Sequence, residues 1–141
     1  MAKRGAYVTF LTATHDEKDT YLVEVPDLEV LTEGYGIENA IYMARDAMGL
    51  AGITKEDMEL DIPDPTPISK IDISKSTYLE IGNPIMTLVD IDFDEYRRKV
   101  DNKSVRRNIT LPNWLNRAAE EAHINVSRVT QEALKEKLNI A

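Results

Sequence analysis

Val105-Arg106-Arg107-Asn108-Ile109-Thr110-Leu111-Pro112 ends in an apolar-polar alternation and stops at a proline. Alternation of this kind predicts a short strand, and Pro112 suits the first turn of a helix. Leu115, Ala118, Ala119 and Ala122 then recur at three-and-four spacing, which predicts a helix to about His123. Asn125 suits a tight turn and Ser127 is a good N-cap. Val129, Ala133, Leu134 and Leu138 predict a second helix. The order is one strand followed by two helices.

A lone strand leaves its backbone donors and acceptors without partners. A module this small also has too little apolar surface to be stable alone. Both problems disappear if two copies pair their strands as an antiparallel ribbon and share one core. The major groove of DNA is wide enough to admit such a ribbon. Ile109 and Leu111 must face the shared core. Arg106, Asn108 and Thr110 then point away from it together. Arg and Asn are the residue types that pair with guanine and adenine edges, and Thr can hydrogen-bond or touch a thymine methyl. Ser127 and Arg128 open the second helix, where free amides favour a phosphate. Arg107 falls on the core side of the alternation and fits only by snorkelling to the edge. The alternative is a solvated polar strand face that binds nothing.

Upstream, residues 94–104 are dense in charge and poor in apolar side chains. They read as a linker, with Asp94–Lys99 able to form a short exposed helix. Residues 1–93 have a different pattern. Ala6–Thr12 and Tyr21–Val25 are rich in β-branched and aromatic residues and predict a hairpin across the polar turn His15–Asp19. Val30–Glu33 predicts a third short strand before Gly34 and Gly36. Ile37, Ala40, Ile41, Ala44, Ala47 and Met48 form one apolar helix face, with Gly49 or Gly52 as its end. Pro63, Pro65 and Pro67 forbid helix and favour an extended segment. Ile85–Ile91 predicts another strand, and Thr77–Ile81 an additional one. The fold class is therefore α+β, β-β-β-α-β followed by strand-helix-helix. The expected divisions are residues 1–93, a linker at 94–104, and residues 105–141.

Charge separates the same parts. Residues 1–100 carry 10 Lys/Arg and 20 Asp/Glu, whereas residues 101–141 carry 7 and 5. The acidic part suits a basic protein and the slightly basic part suits phosphate. A solubilising acidic surface explains the first figure equally well. With no cysteine, disulfides, thiolate metal sites and cysteine nucleophiles are excluded, and a reducing cytoplasm is the simplest setting. Apolar runs fall far short of the roughly 18 residues of a membrane span, and Met1–Gly5 does not lead into a signal-peptide core.

Val105–Leu138 resembles the ribbon-helix-helix family, through Arg106 to Pro112 and the turn Val126-Ser127-Arg128. The preceding residues resemble HicB antitoxins. The resemblance lies in Tyr21 to Leu28, Thr32-Glu33-Gly34, the helix Glu38–Met48, Pro65-Thr66-Pro67-Ile68 and Leu88 to Asp92. That family usually has Pro-Gly-Cys after its Pro-Asp-Leu, where this chain has Glu29-Val30-Leu31. The resemblance implies a partial RNase H-like N-terminal domain that covers a HicA-like toxin. HicA-like toxins are small basic proteins with a double-stranded-RNA-binding-like fold that cleave mRNA with a histidine. It further implies a homodimer through residues 105–141 that binds double-stranded operator DNA and represses its own operon. Pairing of dimers into tetramers is left open, as are the residues that touch the toxin. A ligand-responsive repressor without a toxin partner is the alternative.

Catalysis is a separate question. Two-metal hydrolysis needs carboxylates that converge within about 4 Å of paired ions. Asp16, Asp19, Asp27, Asp90 and Asp92 are candidates by abundance alone, and solvated surface carboxylates are the favoured reading. Pro26-Asp27 would need an acidic-x-Lys triplet, and Asp101-Asn102-Lys103 falls in the expected linker. His15 and His123 have no ligand-spaced neighbours. No nucleophile elbow, P-loop or dinucleotide fingerprint is present. The expectation is a protein without enzyme activity, metal or cofactor. Trp114, the one tryptophan, suits dimer packing better than stacking on a base.

Overall fold

The computed structural model describes residues 3–101 and 104–140. The chain divides into two compact units, residues 1–103 and 104–141.

In the first unit, strands β1 (Arg4–Ala13), β2 (Thr20–Val25) and β3 (Val30–Tyr35) form an antiparallel meander. Strand β4 (Ile85–Asp92) adds antiparallel to β1, giving the order β3-β2-β1-β4. β1 is central and is buried on both faces from Tyr7 to Thr12. The turn into β2 is closed by Asp16, whose carboxylate accepts the Thr20 backbone N–H at 2.9 Å and its hydroxyl at 2.8 Å. His15 and Asp19 take positive φ there, a conformation that polar turn residues tolerate better than β-branched ones.

Helix α1 (Ile37–Asp57) lies against the face that carries Tyr7, Leu11, Val23, Val25, Val89 and Ile91. Its buried stripe is Ala40, Ala44, Met48, Gly49 and Gly52. The helix therefore does not end at Gly49 or Gly52, as the sequence suggested, but runs on past both. The reason lies in helix α2 (Phe93–Val100), whose Tyr96 and Phe93 rings occupy the space a Cβ would need at Gly49 and Gly52 respectively. The two glycines form a notch at spacing three, and the two aromatic rings fill it at spacing three. Phe93 is wholly buried and meets Tyr7 edge to face at 6.3 Å. Arg97 fastens the next turn, donating to the Ile53 carbonyl at 3.2 Å and the Asp57 carboxylate at 3.0 Å. Of the expected linker at 94–104, where Asp94–Lys99 could form a short exposed helix, residues 94–100 belong to α2, which packs on α1 through Tyr96 and Arg97.

Residues 58–84 form a strap without α-helix or strand, apart from 3-10 turns at Ile68–Lys70 and Ile73–Lys75. The expected additional strand at Thr77–Ile81 is absent. Instead, the Glu24 carboxylate accepts the Thr77 N–H at 2.9 Å and its hydroxyl at 2.6 Å. The Asp27 carboxylate holds Thr66 in the same way, at 2.7 and 2.8 Å. The Tyr7 hydroxyl donates to the Pro63 carbonyl at 2.6 Å. Side chains of the sheet and of the turn after β2 thus satisfy backbone groups that a ladder would otherwise have to satisfy.

In the second unit, helix α3 spans Asn113–Glu121 and helix α4 spans Val126–Lys137. The turn between them has His123 at positive φ. Asn125, rather than Ser127, is the N-cap of α4: its side chain accepts the Arg128 N–H at 3.1 Å. The helix therefore starts before the serine. Residues 104–112 form neither helix nor strand within this single chain.

Candidate functional site

Arg106, Asn108 and Thr110 are all exposed on the segment before α3. Ser127 and Arg128 are exposed in the first turn of α4. Arg128 donates through Nε to the Glu132 carboxylate at 3.1 Å, one turn on. Ser127 accepts from Gln131 at 3.5 Å, a long contact. Among the described residues, no hydrogen bond or ion pair joins the strand candidates to the helix candidates. The geometry within one chain therefore leaves the two groups separate.

The surroundings of these residues are unusual. Among the described residues of the second unit none is buried. Ile109, Leu115, Ile124, Val129, Leu134 and Leu138 remain exposed, and Val105 and Trp114 are 89% and 71% exposed. Leu115 and Ala119 on α3, and Val126, Thr130 and Leu134 on α4, recur at spacing four. An apolar stripe of this kind on a folded helix needs cover, because about 1.5–3 kcal/mol is available for each large apolar side chain removed from water.

The acidic residues of the first unit have structural partners. Asp16 closes the β1–β2 turn, and the Thr20 N–H and hydroxyl hold its carboxyl below the usual range. Asp27 clasps Thr66. Asp90 pairs with Arg45 at 2.9 Å, and that guanidinium lowers its pKa. Asp92 caps α2 by accepting the Glu95 N–H, which lowers its pKa, and it also pairs with Arg4 at 3.0 Å. Among the described residues, no three His, Asp or Glu side chains converge as metal ligands. Asn102 and Lys103, which the acidic-x-Lys triplet would need, lie outside the described residues. Tyr7 is pushed up to about 12 by burial and by the nearby Asp64 and Asp27, so it stays a neutral hydrogen-bond donor at ordinary pH.

A groove of about 520 Å³ runs between α1, β4 and α2, with Tyr42, Asp46 and Tyr96 on its wall. The Tyr96 hydroxyl donates to Asp46 at 3.1 Å, and Arg45 is engaged by Asp90.

Among the described residues no helix is long and apolar enough to cross a membrane. Sequence reasoning missed the α1–α2 seam and the two carboxylate clasps. The matched spacing of Gly49/Gly52 and Phe93/Tyr96 was the available signal for the seam. The clasps join residues 39 and 53 positions apart and left no local signal.

Residues 7–135 match the family described as HicB-like antitoxin of bacterial toxin-antitoxin systems. The chain belongs to the HicB-like antitoxin family. No curated protein matches it. Among solved structures, this HicB-like antitoxin is similar to a chain of a toxin-antitoxin complex from Streptococcus pneumoniae. The TM-score is 0.58 at 21% identity, over 95% of this chain and 99% of that one. The antitoxin HicB of Burkholderia pseudomallei aligns with a TM-score of 0.49 at 22% identity, over 96% and 97% of the two chains. At such identities the first likeness is one of fold.

Proposed function

We propose that this HicB-like antitoxin neutralises a HicA-like mRNA interferase and represses its own operon as a ribbon-helix-helix homodimer. The carrying observation is the second unit, in which helices with apolar faces bury nothing and the preceding segment has no strand partner. A second copy supplies both needs. Residues 105–111 of two chains pair antiparallel, and Leu115, Val129, Leu134 and their counterparts close over one another.

Pairing in that register turns Arg106, Asn108 and Thr110 of both chains to one side, as a face of six residues for the major groove. The free amides at the start of α4, with Ser127 and Arg128, orient the dimer on the phosphate backbone. Residues 101–141 carry a net charge of only +2, so one dimer gains modest non-specific affinity and two adjacent dimers gain by effective concentration. The first unit, with its excess of Asp and Glu, opposes non-specific DNA binding. It gains a steered encounter with a basic toxin. Inhibition is by occlusion, so the chain needs no catalytic residue or cofactor, and a bacterial cytoplasm is its setting.

The deciding experiment measures mass and DNA binding together. Sedimentation should give a dimer or a multiple of it, and fluorescence anisotropy on the operon's own promoter should give saturable, salt-dependent binding. A monomer that binds promoter DNA no better than random DNA overturns the repressor reading. Survival of cells that express the toxin only when this chain is co-expressed tests the antitoxin reading.

A further inference from the structure

The side of the first unit that meets the toxin can be argued from how the sheet is covered. α1 takes one face. On the other face Val8, Phe10 and Thr12 of the central strand are buried as well, so a second element lies over them. That element is the strap. Thr77 is held by Glu24, the register partner of Phe10, and a Cβ at Gly82 would touch the Thr12 side chain at 3.4 Å. Residues 58–84 exceed the roughly 12–15 residues beyond which an irregular connection in a compact domain usually has a function. The strap is also fixed in place, since Asp27 and Glu24 each accept two hydrogen bonds from it.

This outer face is unfinished. The register places Leu31 on β3 and Leu88 on β4 on the same side as Phe10 and Val8, and they are 56% and 52% exposed. Leu79 and Ile81 of the strap are exposed too. The charge around them is predominantly acidic. The register places Glu33 on the side of Leu31 and Asp90 on the side of Leu88, and Glu80 lies between Leu79 and Ile81, against Lys70 and Lys75 of the strap. Apolar side chains in an acidic field disfavour a second copy of the same face, because like charges would meet across the contact. They favour a basic protein that offers apolar side chains between its lysines and arginines.

We propose that the strap-covered outer face of the sheet, and not the α1 face, receives the basic toxin. The inference rests on the antitoxin reading above and adds the place of contact. Leu31, Leu88 and Leu79 supply the apolar contact. Glu33 and Glu80 steer the encounter, and the carboxylate clasps hold the strap ready before the partner arrives.

The test uses the full chain and, as probe, a HicA-type toxin from the same operon inactivated at its histidine. Leu31→Lys, Leu88→Lys and the double change Leu79→Arg, Glu80→Lys should each weaken binding by at least about tenfold, chiefly in the dissociation rate for the leucines. Glu38→Lys with Tyr42→Arg, on α1, should bind as the parent chain does. Glu33→Lys is the mild surface variant should a leucine change disturb folding, and it should slow association at low salt. Unchanged melting and unchanged promoter binding show that a variant is folded. Parent-like binding by the outer-face variants, or loss confined to the α1 variant, overturns the placement while leaving the antitoxin reading intact. Absence of binding by the parent chain overturns both.

Discussion

In the first unit Tyr7, Val23, Ala44 and Phe93 are wholly buried, whereas among the described residues of the second unit nothing is buried. Both regions have apolar residues at helical or strand spacing, so the difference is not one of pattern. It is one of closure. The sheet, α1 and α2 of the first unit cover one another, and the Glu24 clasp holds the strap across the remaining face. The second unit has two short helices and an unpaired segment, which cannot enclose a core at any packing. One region encloses a core as a single chain, and the other leaves its apolar side chains exposed, as expected of half of the proposed dimer.

The largest effect that could break this contrast comes from a charge in the proposed shared core. Leu134→Asp should leave the first unit folded and abolish dimer formation, because an unpaired carboxylate buried between two copies costs several kcal/mol. Promoter affinity should fall by at least about a hundredfold, since half a ribbon has no groove-reading face. Sedimentation and anisotropy on the same sample check this. A variant that remains dimeric and binds DNA would show that the second unit is covered by something other than its own copy.

The next effect belongs to the complete region. Phe93→Ala removes a ring that fills the notch at Gly52 and meets Tyr7, and it should cost about 3–5 kcal/mol in urea unfolding of the first unit. Promoter binding by the folded fraction should be unchanged. A loss below about 1 kcal/mol would mean that α2 is not part of the first unit's core.

Arg106→Ala and Asn108→Ala sharpen the comparison from the side of the exposed segment. Each should cost about 1–3 kcal/mol of promoter binding, with dimer mass and first-unit melting unchanged. Equal losses on random and promoter DNA would make these residues phosphate contacts instead of base readers.

What the sequence disclosed follows the same division. Strands β1 to β4 were legible because β-branched residues alternate and Pro, Gly and polar clusters bound them. The spacing of Leu115, Ala119, Val129 and Leu134 likewise disclosed α3 and α4. The length of α1 was hidden because Gly49 and Gly52 read locally as stops, and only the rings of α2 explain them. The strap was hidden because its hydrogen bonds run to Glu24 and Asp27, far away in sequence. The candidate site was legible as residue types, Arg106, Asn108 and Thr110. Within one chain they lie exposed on a segment that is neither helix nor strand, and only the proposed pairing with a second chain would arrange them as one face.

The smallest effect separates two neighbours at the start of α4. Asn125 accepts the Arg128 N–H and so satisfies one of the amides left free at a helix start, whereas Ser127 already lies inside the helix. Asn125→Ala should therefore cost about 1 kcal/mol of second-unit stability, and Ser127→Ala only a few tenths. In promoter binding the order should reverse, because the Ser127 hydroxyl is exposed in the turn proposed to face the phosphate. Circular dichroism melting and anisotropy on the two variants give the four values needed. Equal effects of Ser127→Ala on both would make its role structural and would leave Arg128 and the backbone amides as the phosphate contacts.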